Sequence, residues 1–350
     1  MREEKFRLLD EFQRDFPLCP RPYAEIGERL GLPEAEVIVT LRQCQARGTV
    51  SRVGATIVPG RVGAATLATM AVPDERLEAV AELVNGYSEV NHNYEREHEL
   101  NLWFVVTASR EARVQAVVRE VERRARCGRV LALPMVEAYY VDLGFSLNAG
   151  DAVGRRAAGS ALSPISPARY PLAAPERALL SAVQGGVPLA ARPYAEIGLR
   201  SGMSEDEVIA GLGCLLRERV IGRLGVIVRH RGLGYNANAM VVWDVPNVDV
   251  RAVGSSVARA DFVTLCYRRL RDLPHWPYNL YCMIHGTSRD AVEARIGELT
   301  ERCGLEPYPR AVLFSRRCFR QRGARYVEEA SDGRYRPEHR ESVAGRVSHF

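Results

Sequence analysis

The chain contains 350 residues, of which 47% are hydrophobic, and carries a formal net charge of +5, so it can bury two or more hydrophobic cores. It has no apolar run of 18 residues and no secretory signal, which excludes a transmembrane helix and leads us to expect a cytoplasmic protein. Its eight cysteines form no C-x-x-C pair and have no histidine at zinc-ligand spacing. We therefore expect free thiols in a reducing compartment and no metal site.

Charge is distributed unevenly along the chain. Residues 1–150 carry 19 basic and 22 acidic side chains, whereas residues 151–350 carry 29 and 21. The excess of positive charge in the second part implies an anionic partner, either nucleic acid or a polycarboxylate.

The first predicted elements form a winged helix-turn-helix. Apolar residues at helical spacing predict a helix over residues 3–16. The heptapeptide Arg21-Pro-Tyr-Ala-Glu-Ile-Gly27 precedes a helical run over 34–47, which leads into a predicted hairpin around Gly54 and Gly63. Two helices joined by a short glycine-containing turn and followed by a hairpin are typical of this motif.

The next part of the chain predicts a ferredoxin-like βαββαβ unit. Alternating apolar residues indicate its strands, and longer amphipathic runs indicate its helices. The elements are, in order, a strand over 65–72, a helix over 74–85, strands over 88–94 and 101–107, a helix over 110–126 and strands within 130–143.

The second half of the chain repeats this organisation. The heptapeptide recurs as Arg192-Pro-Tyr-Ala-Glu-Ile-Gly198, 171 residues after its first copy, and Ser204 and Glu207 have the spacing of a capping box at the start of the next helix. The elements of a second βαββαβ unit are expected over 238–245, 248–258, 262–267, 279–285, 289–303 and 311–315. We therefore predict an α+β protein built as a tandem repeat.

The predicted boundaries divide the chain into six segments. A stretch rich in alanine, glycine, serine and proline separates the halves, and the polar C-terminal segment is expected to be poorly ordered. The segments are winged helix-turn-helix 1 (1–62), ferredoxin-like domain 1 (63–148), a linker (149–175), winged helix-turn-helix 2 (176–233), ferredoxin-like domain 2 (234–327) and a polar tail (328–350).

This combination of domains resembles the Lrp/AsnC transcription regulators over nearly all of each half. The resemblance implies a DNA-binding regulator, with a heme-sensing form included, as one function class. Such a protein needs polar or basic side chains on its recognition helices. The first candidate helix offers Arg42 and Gln43, but the second, over 208–216, offers no base-reading side chain and contains two glycines. Nucleic acid is therefore disfavoured as the partner.

The central strands of the first ferredoxin-like unit contain residues suited to catalysis. Strand alternation places His92, Tyr94 and Arg96 on one face, so that an imidazole, a phenol and a guanidinium converge. His98 follows on the other side of a polar turn. The competing interpretation of this segment is an ordinary solvated hairpin tip.

The second unit has diverged at the same place. Tyr267 aligns with Tyr94, whereas Leu265 stands where the first unit has His92. Arginine forks bind carboxylates and aromatic rings stack on flat ligands, which makes this region and the arginine cluster after residue 313 candidate binding elements. A basic patch for RNA is the alternative for that cluster. The candidate binding residues are Asn101, Trp103, Tyr267, Arg268, Arg269, Trp276, Tyr278, Asn279, Arg316 and Arg320.

These segments also carry a second resemblance. The paired heptapeptides, the block His-Asn-Tyr-Glu-Arg-Glu-His (92–98) and the block Trp-Pro-Tyr-Asn-Leu-Tyr-Cys-Met-Ile-His-Gly (276–286) resemble the siroheme decarboxylase family, the Lrp/AsnC-like AhbA/AhbB and NirD/NirL/NirG/NirH proteins. In that family two related subunits pair, and the resemblance implies that a NirD-like half and a NirL- or NirH-like half are fused here. The resemblance implies conversion of siroheme to 12,18-didecarboxysiroheme, a step of heme d1 or alternative heme biosynthesis. It also implies a pseudo-dimer within the chain, with a homodimer as a further option.

The chemistry of this reaction suggests roles for the candidate residues. Siroheme is a flat macrocycle with eight carboxylates, and loss of an acetate carboxyl requires an oriented carboxylate and a delivered proton. We expect arginines to hold the carboxylates and His92 or His98 to supply the proton, although either histidine could instead bind the siroheme iron. His275 and His285 are alternative donors. No cofactor beyond siroheme is expected, because no nicotinamide, flavin or pyridoxal motif is present.

Overall fold

A computed structural model describes residues 3–141, 169–229, 235 and 237–327. Most of the predicted linker and all of the predicted polar tail lie outside the described residues. The first half contains α1 (Glu3–Glu11), α2 (Pro22–Leu30), α3 (Glu34–Ala46), β1 (Val50–Ile57), β2 (Ala64–Met70), α4 (Leu77–Asn85), β3 (Val90–Arg96), β4 (Leu102–Ala108), α5 (Glu111–Ala125) and β5 (Leu131–Val141).

The second half repeats the same order of elements. It contains α6 (Ala174–Val183), α7 (Pro193–Ser201), α8 (Glu205–Arg217), β6 (Ile221–Val228), β7 (Ala237–Trp243), α9 (Val250–Val257), β8 (Val263–Arg269), β9 (Leu280–Gly286), α10 (Arg289–Cys303) and β10 (Arg310–Gln321). The predicted capping box of α8 is confirmed, since Ser204 Oγ accepts a hydrogen bond from the Glu207 N–H at 3.3 Å and the Glu207 carboxylate accepts one from the Ser204 N–H at 2.7 Å.

The wing strands of the two helix-turn-helix modules pair with each other. β1 and β6 form an antiparallel two-stranded ribbon in which Gly54 lies opposite Gly225. The predicted hairpin around Gly54 and Gly63 is therefore wrong, because the partner of β1 comes from the other half of the chain. A side chain at residue 225 would approach the Gln13 carbonyl to 2.3 Å, so the glycine permits the close packing that this exchange requires.

The two copies of the heptapeptide form hydrogen bonds between the two helix-turn-helix modules. It forms α2 in the first half and α7 in the second, and each copy contributes a fully buried tyrosine. Tyr23 donates a hydrogen bond to the Pro188 carbonyl at 2.9 Å, and Tyr194 donates one to the Pro17 carbonyl at 2.7 Å. These reciprocal contacts make the two modules a pseudo-symmetric pair around one shared core.

The ferredoxin-like units join into one closed barrel of eight antiparallel strands. Each unit has the predicted βαββαβ order, and the strands follow one another around the barrel as β10-β3-β4-β2-β5-β8-β9-β7. β5 links the first unit to β8, and β10 links the second unit to β3. The last strand extends well beyond the predicted 311–315 because its second part pairs with β3. Closure leaves no unpaired edge among the eight described strands of the barrel.

Strand alternation divides the apolar residues of the barrel between two environments. One face of each unit packs beneath its own helices. The other face points into the barrel, where Leu133, Val242, Tyr281 and Leu313 belong to a separate apolar cluster and do not line the cavity. The interior is therefore packed at one end, and a cavity occupies the end that faces the β1–β6 ribbon.

Candidate functional site

A cavity of about 770 Å³ lies between the barrel interior and the β1–β6 ribbon, and both halves of the chain line it. This volume is within the range of sites for small molecules and cofactors. Asp15 is the one carboxylate among its lining residues, which belong to the described part of the chain. The arginines of the lining are Arg14, Arg52, Arg96, Arg219, Arg223, Arg269 and Arg322. Such a charge distribution suits a ligand with several negative groups.

Three predicted catalytic residues meet on the cavity side of β3. The pairing of β3 with β4 shifts in register after Val90, and this shift determines which face of the sheet each later residue of β3 occupies. The rings of His92 and Tyr94 stack with centroids 6.2 Å apart, and Arg96 Cζ lies 5.7 Å from the Tyr94 ring centroid. All three side chains line the cavity. The prediction that strand alternation brings them onto one face is confirmed.

Arg96 brings a buried positive charge to the cavity. The residue is only 7% exposed, and its Nη1 donates a hydrogen bond to the Leu313 carbonyl at 3.0 Å. Its Nε is buried without a hydrogen-bond partner. Burial lowers the pKa of Arg96 to about 10, so the guanidinium stays charged at neutral pH. A negatively charged group in the cavity would offset the cost of burying this charge.

The second half supplies an equivalent pair, Tyr267 and Arg269 on β8. Arg269 Cζ lies 4.6 Å from the Tyr267 ring centroid, and its Nη1 donates to the Leu133 carbonyl at 2.6 Å. Its Nε, like that of Arg96, is buried without a hydrogen-bond partner. Arg96 from the first half and Arg269 from the second half therefore have equivalent surroundings. Leu265 occupies the position equivalent to His92 and also lines the cavity, so this imidazole has no counterpart there.

His98 lies outside the cavity lining. Its Nδ1 accepts a hydrogen bond from the Leu100 N–H at 3.0 Å, and its ring packs edge-on against Trp276 at 5.4 Å between centroids. Desolvation lowers the pKa of His98 below its usual 6.5, so the ring is neutral at neutral pH. The structure therefore separates His98 from the three catalytic candidates on β3.

The aromatic candidates divide between the cavity and its closed end. Trp103 lines the cavity and donates from Nε1 to the Leu100 carbonyl at 2.6 Å. Trp276 packs against Trp103 at 5.1 Å between centroids and donates to the Tyr281 hydroxyl at 2.6 Å, and Tyr278 packs edge-on against Trp276 at 4.9 Å. Neither Trp276 nor Tyr278 is among the lining residues; Trp276 belongs to the apolar cluster of the barrel interior, and Tyr278 packs against that cluster.

Two predicted binding asparagines have structural contacts instead. Asn101 makes two hydrogen bonds with the main chain of Val72, at 2.8 and 2.9 Å. Asn279 makes the equivalent pair with Val245, at 2.9 and 3.0 Å. Both side chains therefore hold the end of a neighbouring strand, and neither lines the cavity.

Three predicted binding arginines point away from the cavity. Arg268 donates to the Asn247 side chain at 3.1 Å, and Arg320 donates to the Tyr87 carbonyl at 3.1 Å. The third, Arg316, is exposed and lies 3.6 Å from Glu95 and 3.7 Å from Glu97. The sequence correctly indicated that β8 and β10 lie close to the cavity, but the direction of each arginine side chain depends on the strand pairing.

Sequence reasoning missed the cavity arginines of the wings, Arg52 on β1 and Arg223 on β6. A signal was present, since each stands two residues before a paired glycine, Gly54 or Gly225, in the repeat. His285, considered only as an alternative proton donor, also lines the cavity. It is buried, and its Nδ1 lies 3.2 Å from Thr264 Oγ1.

The candidate DNA-recognition helices begin with acidic turns. Glu34 and Glu36 open α3, and Glu205, Asp206 and Glu207 open α8. Negative charge at these positions opposes contact with a phosphate backbone. Among the described residues, no helix combines the length and apolar character that crossing a bilayer requires, and no three His, Cys, Asp or Glu side chains are grouped to hold a metal ion.

Family comparisons match both kinds of domain in both halves. A family described as the siroheme decarboxylase NirDL-like HTH domain matches residues 6–50 and 176–221. A family described as the AsnC-like ligand binding domain matches residues 61–139 and 232–320. The two helix-turn-helix modules and the two ferredoxin-like units thus correspond to a repeated combination that is already known.

Individual proteins resemble the chain over nearly its whole length. It is 43% identical over 327 residues to the siroheme decarboxylase NirDL subunit of Paracoccus denitrificans, covering 93% of this chain and 98% of that protein. A crystal structure of the siroheme decarboxylase NirDL has a TM-score of 0.65 at 27% identity, covering 94% of this chain and 95% of that one. A second NirDL structure, in complex with an iron-uroporphyrin III analogue, has a TM-score of 0.64 at 26% identity and covers 93% and 95%.

Proposed function

The chain belongs to the siroheme decarboxylase NirDL family, and we propose that it removes two acetate carboxyl groups of siroheme as carbon dioxide, giving 12,18-didecarboxysiroheme. This is a carboxy-lyase reaction without net oxidation, and it serves heme d1 or alternative heme biosynthesis. One observation carries the proposal. Both halves form the cavity, and its lining includes seven arginines, a single carboxylate and His92. Siroheme presents eight carboxylates around a flat ring, and this charge pattern is complementary to it.

Substrate binding follows from the groups that the cavity leaves without partners. Arg96 and Arg269 each keep a buried Nε that makes no hydrogen bond in the protein. A substrate carboxylate beside either guanidinium would offset the cost of its desolvation through a charge-assisted interaction. The neighbouring rings of Tyr94, Tyr267 and Trp103 offer apolar surface for the macrocycle.

Decarboxylation breaks the bond between the acetate methylene carbon and the carboxyl carbon. The electron pair remains on the methylene carbon, where the conjugated macrocycle can delocalise it, and carbon dioxide leaves. The imidazolium of His92 then gives its proton to the methylene carbon, which becomes a methyl group, and the imidazole regains a proton from water. Each cycle therefore consumes one proton and needs no oxidant, reductant or cofactor beyond the substrate.

The geometry favours His92 over His98 as the donor. His92 lines the cavity beside Tyr94, whereas His98 is neutral and packed against Trp276 outside it. His285 is the second imidazole of the cavity and the alternative donor. Because both halves line the cavity, one chain forms the site as an internal pseudo-dimer, and a homodimer stays a prediction.

Anaerobic incubation with siroheme, followed by mass spectrometry of the tetrapyrrole, tests the proposal. We expect a product lighter by two molecules of carbon dioxide, and His92→Gln should lower kcat about 10²- to 10⁴-fold while binding persists. His275→Gln, at an exposed position outside the cavity, is the matched control. Unchanged substrate with wild-type protein, under conditions in which a known siroheme decarboxylase is active, would refute the activity. Lost binding and an altered siroheme spectrum in His92→Gln would instead assign His92 to the iron.

A further inference from the structure

The β1–β6 ribbon presents two arginines on one face. The register pairs Gly54 with Gly225 and Thr56 with Arg223. Because residues two apart on a strand share a face, Arg52, Gly54 and Thr56 lie on the same side as Arg223. Arg52 and Arg223 therefore flank the central glycine pair, and both line the cavity.

Part of the Arg52 guanidinium makes no hydrogen bond within the protein. Nη2 donates to the Ala55 carbonyl at 3.3 Å, whereas Nε is buried without a hydrogen-bond partner. Burial lowers the pKa of Arg52. No ion pair satisfies Arg52 within the described chain, so the folded protein keeps a partly desolvated charge at the cavity.

Glycines from the other half make room for this side chain. A Cβ added at Gly323 would lie 2.7–2.8 Å from the guanidinium atoms of Arg52, and one at Gly186 would lie 3.5 Å from its Cβ and Cδ. Gly323 follows β10 and itself lines the cavity. The backbone of the second half thus encloses an arginine of the first half and holds it beside the cavity.

We propose that Arg52 and Arg223 bind peripheral carboxylates of the tetrapyrrole, so that the paired wings form the substrate-binding roof of the barrel. This inference rests on the proposed function. Arg96 and Arg269 contact the ligand from the barrel wall, and the wing arginines contact it from the ribbon. The wings would then contribute to the choice of a polycarboxylate ring over a ring with few carboxylates, because only the former can engage both sets of arginines.

The role differs from that of the catalytic residues and predicts a different kinetic effect. The wing arginines bind carboxylates in the ground state and the transition state alike, so their loss should raise KM and leave kcat within about twofold. A charge-assisted hydrogen bond corresponds to roughly a tenfold to hundredfold change in affinity.

The test compares two iron porphyrins that differ in carboxylate number. Anaerobic absorbance titrations would measure binding of iron-uroporphyrin, with eight carboxylates, and iron-protoporphyrin, with two, to wild type, Arg52→Gln and Arg223→Gln. Arg200→Gln, an exposed change on α7 outside the cavity, is the matched control. We expect each wing variant to bind iron-uroporphyrin at least about tenfold more weakly and iron-protoporphyrin within about twofold of wild type.

One further measurement separates a loss of stability from a loss of binding. Thermal unfolding without ligand should show Arg52→Gln to be as stable as wild type or more so, because the change removes a desolvated charge. Equal weakening for both porphyrins, or unchanged binding of iron-uroporphyrin, would overturn the role of the wings. Failure of the wild-type protein to bind iron-uroporphyrin at all would instead count against the proposed function.

Discussion

Replacement of Arg96 by methionine should make the ligand-free protein more stable and the siroheme complex weaker. Arg96 is 7% exposed and charged, and its buried Nε lacks a hydrogen-bond partner. Methionine has a similar length and removes the charge, so the barrel interior keeps most of its packing. A residue retained only for stability would give the opposite sign, because its loss would destabilise the fold.

The expected magnitude follows from the pKa of Arg96. Burial lowers the pKa of Arg96 well below its ordinary value, to about 10, and at about 1.36 kcal/mol per pKa unit the charged form loses roughly 3 kcal/mol of solvation in the fold. The variant also loses the 3.0 Å hydrogen bond from the charged guanidinium to the Leu313 carbonyl, which costs about 1.5–3 kcal/mol. The net change in the free energy of unfolding should therefore be a gain of up to about 2 kcal/mol. Loss of one charge-assisted hydrogen bond should weaken siroheme binding by about 1.5–3 kcal/mol, or roughly tenfold to hundredfold.

Denaturant unfolding of the ligand-free protein and anaerobic absorbance titration with siroheme would measure the two effects. Arg316→Met is the matched control, because Arg316 is exposed, lies outside the cavity and contacts Glu95 and Glu97 at 3.6–3.7 Å. It should change stability by no more than about 1 kcal/mol and leave binding unchanged. An Arg96→Met protein that is less stable and binds siroheme normally would show that Arg96 supports the fold and not the ligand.

Three other substitutions test side-chain burial and packing in the fold. His98→Asn should keep activity at neutral pH and make the free energy of unfolding less dependent on pH below about pH 6.5. Because the pKa of His98 is lowered in the folded protein, the unfolded wild-type chain takes up more protons in this range. The stability of the wild-type protein therefore falls as the pH drops, and the variant lacks this contribution. A variant with the wild-type slope in denaturant titrations from about pH 7 to pH 5 would contradict this account. Gly254→Ala places a Cβ 2.2 Å from the Tyr139 ring and should cost about 1–3 kcal/mol in the free energy of unfolding. The same change at Gly297, where an added Cβ meets nothing within 4 Å, should stabilise α10 slightly, so equal losses at both positions would contradict the steric explanation.

The sequence by itself determined the repeat, the order of elements and one face of the site. Local periodicity reports which side of an element is apolar, and the second copy of each motif confirms the assignment. The same argument placed His92, Tyr94 and Arg96 together, because alternation along β3 depends only on neighbouring residues. The family resemblance likewise rested on short blocks that can be read directly in the chain.

Only the tertiary structure decided which side chains reach the cavity. The pairings of β1 with β6, β5 with β8 and β10 with β3 join residues far apart in the chain, so no local pattern fixes their register. These pairings direct Arg52 and Arg223 into the cavity and Arg316 and Arg320 away from it, although all four are arginines on strands. Strand register and burial are set by packing between the halves. The set of side chains that lines the cavity is therefore determined only when the two halves close into one barrel.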